Sequence, residues 1–553
     1  MKRNSIHKGI QLDFWKVVSL ILMIILTIFL LYPLITIGYK SLLNTEGQFT
    51  LSNYKDFFTL KYYTSALGHS FLVCSIATVF ATLVSVPIAY LSSRYNVAWK
   101  KALNMIIILS MISPPFIGAY SWILLFGRSG VVTSFLQKIG INMPSIYGFG
   151  GIILVFTVKF FPMIYLYVSG ALGSMDASLE EAAENLGMSK IRRIMTVTFP
   201  LILPTISAAM LMAFMAALAD FGTPMLIGEG YKVLPVLIYQ QYLSETGGDA
   251  TMASTLSVII ILCALLVLIL QKFIVNRRNY TMSMLRPPAV VCLKGWKRFL
   301  VTAVCYLVAF IGILPQLTVL FTSFLKTSGP LFVKEFSLDS YRSIISKLGS
   351  SITHTFVYST VAIIIMIAAG LLIAYLSVRK KNKINTVLDV LVMFPYVIPG
   401  AVLGIALLLT FNQKPIYLTG TWFILVLAYV IRKLPYTVRS SSAILYQIDP
   451  AIEEASINLG VSPAKTFFKT TAILMIPGVF SGAIMSWITT INELSSSVML
   501  YTSKTATISV SVYTEVIRGH FGTAAALAVI LSITSALSVL LFTKLSGGRS
   551  ITL

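Results

Sequence analysis

The chain has 553 residues, of which 57% are apolar and only 11% charged, and its formal net charge is +23. Soluble domains keep about a quarter of their residues charged, so this composition excludes an ordinary water-soluble enzyme and points to an all-α polytopic membrane protein. The positive charge is not a nucleic-acid footprint, because no polar domain gathers it on one face; it sits beside alternate apolar runs, as in the cytoplasmic loops of membrane proteins.

Taken in order, runs of about 20 apolar residues, enough to cross a bilayer, fall near 17–39, 67–93, 102–126, 148–172, 200–221 and 254–275. A second set follows near 297–325, 352–378, 386–411, 418–442, 472–493 and 522–545. About twelve spans are therefore expected. The first run is too long for a cleaved signal peptide and lacks a small-residue cleavage pattern before Tyr39-Lys40, so it is expected to stay in the membrane. With the N-terminus inside, the inward segments hold about 28 of the 42 basic residues, among them Lys2, Arg3, Lys8, Arg94, Lys190, Arg379, Arg432, Lys433 and Arg549. Both termini are then cytoplasmic. The four cysteines, Cys74, Cys263, Cys292 and Cys305, form no Cys-x-x-Cys pair, so neither a zinc site nor a disulfide framework is expected.

One polar segment occurs twice. Asp176-Ala-Ser-Leu-Glu180-Glu181-Ala182-Ala183-Glu-Asn185-Leu186-Gly187-Met-Ser189 is repeated as Asp449-Pro450-Ala-Ile-Glu453-Glu454-Ala455-Ser456-Ile-Asn458-Leu459-Gly460-Val-Ser462. Thr198, Leu201 and Pro204 match Thr471, Leu474 and Pro477 at the same offset. Fixed-offset identity of this kind marks a duplicated structural unit. The repeat extends to Ile88-Ala-Tyr-Leu-Ser-Ser-Arg94 and Ile373-Ala-Tyr-Leu-Ser-Val-Arg379. Two tandem six-span domains in one orientation follow, residues 1–280 and 281–553, joined by the basic linker Gln271–Arg298 with its Arg286-Pro287-Pro288. Such parallel repeats put a pathway at the interface between halves.

Each copy carries the local signals of helix, turn, helix. Asp176 and Asp449 suit an N-cap, and Pro450 suits the first turn. The early glutamates favour the positive end of the helix dipole. Gly187 and Gly460 suit the left-handed residue that ends a helix, and Ser189 and Ser462 can cap the next one. Pro204 and Pro477 are expected near the start of the following span.

Glu-Glu-Ala-Ala-x-x-Leu-Gly with a downstream proline, duplicated, resembles the signature loop of inner-membrane permease subunits of binding-protein-dependent ABC importers. The resemblance implies that residues 176–204 and 449–477 form cytoplasmic coupling helices. Glu180, Glu181, Ala182 and Gly187, with Glu453, Glu454, Ala455 and Gly460, would meet a separate ATPase. It implies two copies of that ATPase, an extracytoplasmic solute-binding protein, and a place in the bacterial plasma membrane. Ser456 and Ile457 replace Ala183 and Glu184, so the two docking surfaces are expected to differ. The chain has no Gly-x-x-x-x-Gly-Lys-Ser/Thr loop, so ATP and Mg would reside on the partner and no cofactor or metal on this chain. The chain would be a transport permease, not an enzyme.

Three further pairs obey the repeat: Lys159 and Arg432, Asp220 and Glu493, His69 and His354. Ionisable residues inside a membrane mark a pathway or an internal partner, so Lys159, Asp220, Arg432 and Glu493 are candidate pathway residues. The histidines suit helix capping better than ligation. The halves resemble fused ferric-iron permeases in Ala219-Asp220-Phe221-Gly222-Thr223-Pro224, in Phe394-Pro395-Tyr396-Val397-Ile398-Pro399-Gly400, and in Lys433-Leu434-Pro435-Tyr436-Thr437-Val438-Arg439. Ferric iron is the implied cargo. Thiamine, 2-aminoethylphosphonate or polyamine import on the same architecture stays open, as does an ion-coupled secondary transporter using Asp220 and Glu493.

Overall fold

The computed structural model describes residues 14–111, 115–243, 248–276 and 290–545. The 280/281 boundary, residues 277–289 of the basic linker, and the terminal charges Lys2, Arg3, Lys8 and Arg549 lie outside the described residues. Among the described residues, nine helices are long and apolar enough to cross a membrane: Phe14–Lys40, Lys61–Arg94, Phe149–Gly173, Lys190–Leu218, Ala250–Leu270, Gly295–Thr322, Asp339–Arg379, Pro463–Ile491 and Phe521–Leu541.

The other three expected spans also correspond to helices, and each departs from a plain apolar rod. The third is described as two helices, Lys100–Met111 and Pro115–Phe126. The ninth is bent by 111° between Lys383–Tyr396 and Gly400–Phe411. Pro395 and Pro399 each lack an N–H and disfavour helix in the residue before them, so the chain turns there. The tenth, Trp422–Gln447, is a single helix that holds Arg432, Lys433 and Arg439 along its middle. Strand is confined to two small antiparallel hairpins, Leu325–Ser328 with Leu331–Phe336 and Asn412–Gln413 with Ile416–Tyr417.

The chain forms two compact units, and they do not follow the sequence halves. One gathers residues up to Thr36 with Phe356–Tyr396 and Ala406–Glu493. Within it the first span packs on Lys383–Met393 of the second half, and Trp15 is buried against Tyr375 and Phe467. The other gathers Ile37–Thr355, Val397–Ile405 and Leu494 onward. Within it Gly295–Thr322, the first span of the second half, packs on both pieces of the third span. It also meets the fourth span closely at Gly312, where an added Cβ would lie 2.8 Å from the Phe161 ring. The opening helix of each repeat thus joins core helices of the other repeat, an exchange of elements between like units.

Two details correct the local expectations. Pro204 and Pro477 are not near a helix start, because the helices Lys190–Leu218 and Pro463–Ile491 begin well before them. Ser189 and Ser462 occupy N-cap positions, yet neither side chain makes a capping hydrogen bond. Of the cysteines, Cys74 and Cys305 are buried and Cys292 is exposed, all as free thiols.

Candidate functional site

The repeated polar segments fold alike. Helices Ala177–Asn185 and Pro450–Asn458 start at Asp176 and Asp449, whose carboxylates accept from the Ser178 and Ala451 amides at 2.9 Å. Each ends in a Schellman turn. Gly187 N–H donates to Glu184 O at 2.9 Å and Met188 N–H to Ala183 O at 3.1 Å. Gly460 N–H donates to Ile457 O at 2.9 Å and Val461 N–H to Ser456 O at 3.2 Å. The glycines sit at φ +78° and +86°, the left-handed conformation in which a side chain is disfavoured. Their capping pattern satisfies carbonyls that would otherwise be orphaned at the helix end.

The two glutamates of each motif part company. Glu181 and Glu454 are exposed, with Ala182 and Ala455 beside them. Glu180 and Glu453 turn inward. Arg94, the last residue of the second span, donates to Glu180 at 2.7 Å, and Arg379, the last residue of the eighth, donates to Glu453 at 3.1 Å. These pairs are mostly shielded from water, and breaking one side of such a pair costs about 3–5 kcal/mol. Glu180 and Glu453 therefore anchor the helix to a membrane span instead of offering a surface carboxylate.

What each helix does present is a leucine. Leu186 and Leu459, directly before the glycines, are 79% and 85% exposed. Each leucine thus stands in water at a helix end closed by the Schellman hydrogen bonds. Sequence reading noted these residues as repeat identities without assigning them this place. Arg94 and Arg379 were legible too, as the ends of the matching Ile-Ala-Tyr-Leu-Ser-x-Arg stretches.

A second duplicated feature lies within the spans. Lys159 donates to Asp220, whose other oxygen accepts from the Thr223 amide at 2.9 Å. Arg432 donates to Glu493, and Lys433 reaches the second Glu493 oxygen at 2.9 Å. All four candidate pathway residues are thus brought together in two ion pairs, basic residue on the fourth or tenth span, acid just past the fifth or eleventh. Arg432 and Lys433 are not loop charges: both are committed to a buried carboxylate. The clusters are also unequal, since Phe160 stands where the second has Lys433. One is neutral and the other carries two cations on one acid.

The histidines clip loops instead of capping their own helices. His69 Nδ1–H donates to Lys232 O at 3.1 Å and His354 Nδ1–H to Ala506 O at 3.0 Å. The neighbouring Ser70 and Thr355 hydroxyls accept from the Leu234 and Ile508 amides at 2.9 and 2.8 Å. Among the described residues no group of three or more His, Cys, Asp or Glu is placed to hold a metal ion.

Comparison with known proteins matches this architecture. The profile of the binding-protein-dependent transport system inner membrane component matches residues 81–280 and again 366–549. The chain is 28% identical over 547 residues to the ferric transport system permease protein FbpB of Actinobacillus pleuropneumoniae, covering 97% of this chain and 79% of that protein. It is 23% identical over 482 residues to the Fe(3+)-transport system permease protein FbpB 2 of Haemophilus influenzae, covering 86% and 89%. It is also 27% identical over 219 residues to the molybdenum transport system permease protein ModB of Haemophilus influenzae, covering 38% of this chain and 93% of that protein.

Proposed function

Because this chain belongs to the binding-protein-dependent transport system inner membrane components, a family of multi-pass ABC importer permeases, we propose that its cargo is ferric iron. The observation that carries this reading is the likeness to ferric permeases along nearly the entire chain; the molybdenum permease matches only 38% of it. An extracytoplasmic binding protein delivers the iron, free or chelated. Since both permease repeats are fused in one chain, one copy supplies both halves of the pathway.

Two copies of a separate ATPase, one for each repeated helix, bind ATP and Mg and drive the cycle. The exposed faces Glu181, Ala182 and Leu186, and Glu454, Ala455 and Leu459, supply the contact. Both termini lie on the ATPase side. No cofactor is bound by the permease itself. The ion-coupled alternative loses its two candidate carboxylates to basic partners.

The test is uptake of labelled ferric iron in cells with and without the permease, with thiamine and 2-aminoethylphosphonate run alongside. Loss of iron uptake alone is expected. Unchanged iron uptake with loss of another solute would keep the importer and discard the iron.

A further inference from the structure

An arginine, a tyrosine and a threonine occupy matching positions in both repeats, yet they bond the inward glutamate differently. In the first, Glu180 Oε1 accepts from Arg94 and from Thr198 Oγ1, each at 2.7 Å. In the second, Glu453 Oε1 accepts from Arg379 and Oε2 from the Tyr375 hydroxyl, each at 3.1 Å. Thr471, which matches Thr198, is buried with no hydrogen-bond partner for its hydroxyl. Tyr90, which matches Tyr375, is not among the donors to Glu180.

The arginine is the fixed member. Besides the glutamate it holds the residue just ahead of the N-cap aspartate: Arg94 contacts the Met175 sulfur at 3.8 Å, and Arg379 donates to Ile448 O at 2.5 Å. The threonine is the member with a reason to move. Thr198 and Thr471 each close a π-helical turn, Ile194–Thr198 and Phe467–Thr471, at matching positions of the two long helices. A π turn carries one residue more than an α turn and is frequent at functional sites. A buried hydroxyl without a partner is unfavourable, so Thr471 gains by finding an acceptor.

We infer that Tyr90, Tyr375, Thr198 and Thr471 are positioning residues of a two-position joint, in which the glutamate exchanges between the tyrosine of the second or eighth span and the threonine of the π turn. The arginine holds in both positions. With the threonine bonded, the coupling helix is tied to the fifth or eleventh span as well as to the second or eighth. With the tyrosine bonded, the glutamate itself is held by the second or eighth span alone, and in the second repeat the helix keeps only the Ser456–Thr466 hydroxyl contact at 3.0 Å to the eleventh. The two repeats display one position each. The exchange sets which spans follow the helix when its partner moves it, and so rests on the reading that these helices meet an ATPase.

The deciding variants are Thr471→Val and Tyr90→Phe, which remove no hydrogen bond made to the glutamate in this structure. In proteoliposomes holding the whole importer, solute imported per ATP hydrolysed should fall about three-fold or more for each, the weight of one hydrogen bond in a two-state balance. Membrane amounts should stay unchanged, and Thr471→Ser should keep the ratio. An unchanged ratio in both variants would overturn the joint, leaving each repeat with one permanent bonding pattern. The underlying reading is separable: Gly187→Val with Gly460→Val must uncouple uptake from ATP. If that pair uncouples while Thr471→Val and Tyr90→Phe are silent, only the joint fails; if it does not uncouple, the docking reading fails with it.

Discussion

Glu493→Ala should remove most of the permease from the membrane. The substitution strands Arg432 and Lys433, whose side chains are 15% and 11% exposed, with no anion between them. Removing one partner of a buried pair costs about 3–5 kcal/mol, a large share of the roughly 5–15 kcal/mol that holds a typical domain folded. Here two cations share the loss. A fall in steady-state amount on the order of ten-fold or more is expected, read by quantitative blotting of membranes. Asp220→Ala should be milder. It strands only Lys159, which is 23% exposed and has a flexible stem able to lead its amine toward water. Replacing the whole second cluster, Arg432→Met with Lys433→Met and Glu493→Leu, should restore the amount, because apolar groups of similar volume serve as well as a buried ion pair. Uptake by that triple variant then divides two roles. Restored amount with restored uptake makes the cluster a packing device; restored amount without uptake makes it part of the pathway. Wild-type accumulation of Glu493→Ala would sink the argument.

Gly187→Val with Gly460→Val should leave the permease in the membrane and abolish its coupling to ATP. Nothing lies within 4 Å of a Cβ added at either glycine, so space is not the constraint. The constraint is φ, +78° and +86°, which disfavours any L side chain by about 1–2 kcal/mol and a β-branched one more. Each helix end must then unwind, giving up its Schellman bonds and releasing Leu186 or Leu459 from its fixed place. Uptake should fall on the order of ten-fold or more, while the spans, stabilised by their own packing, keep the protein inserted. Gly187→Asn with Gly460→Asn should retain most uptake, since asparagine tolerates the left-handed region. ATP-driven uptake at the wild-type rate in the double valine variant would rule out coupling through these turns.

Much of this was legible in the residues. Helix periodicity was not needed: length and hydropathy alone mark the spans, because a bilayer admits only chains that satisfy their own backbone hydrogen bonds. The capped helix from Asp176 to Gly187 follows from local chemistry, as an N-cap needs a short acceptor and a left-handed end needs glycine. The repeat offset correctly paired Lys159 with Arg432 and Asp220 with Glu493 as equivalents. It did not say that each base meets the acid of its own repeat, since that contact joins positions 61 residues apart. The serines at 189 and 462 mislead because cap identity reports position, while the hydroxyl's orientation depends on its surroundings.

Sequence alone therefore established the membrane class, the doubled permease unit and the ends of its two polar helices, all properties written in residue type at short range. Tertiary structure decided what no spacing reveals. It turned Glu180 and Glu453 inward onto Arg94 and Arg379, left Leu186 and Leu459 outermost, and joined the opening helix of each repeat to the core of the other. These outcomes depend on which surfaces bury one another, and burial is settled by the assembled helices together.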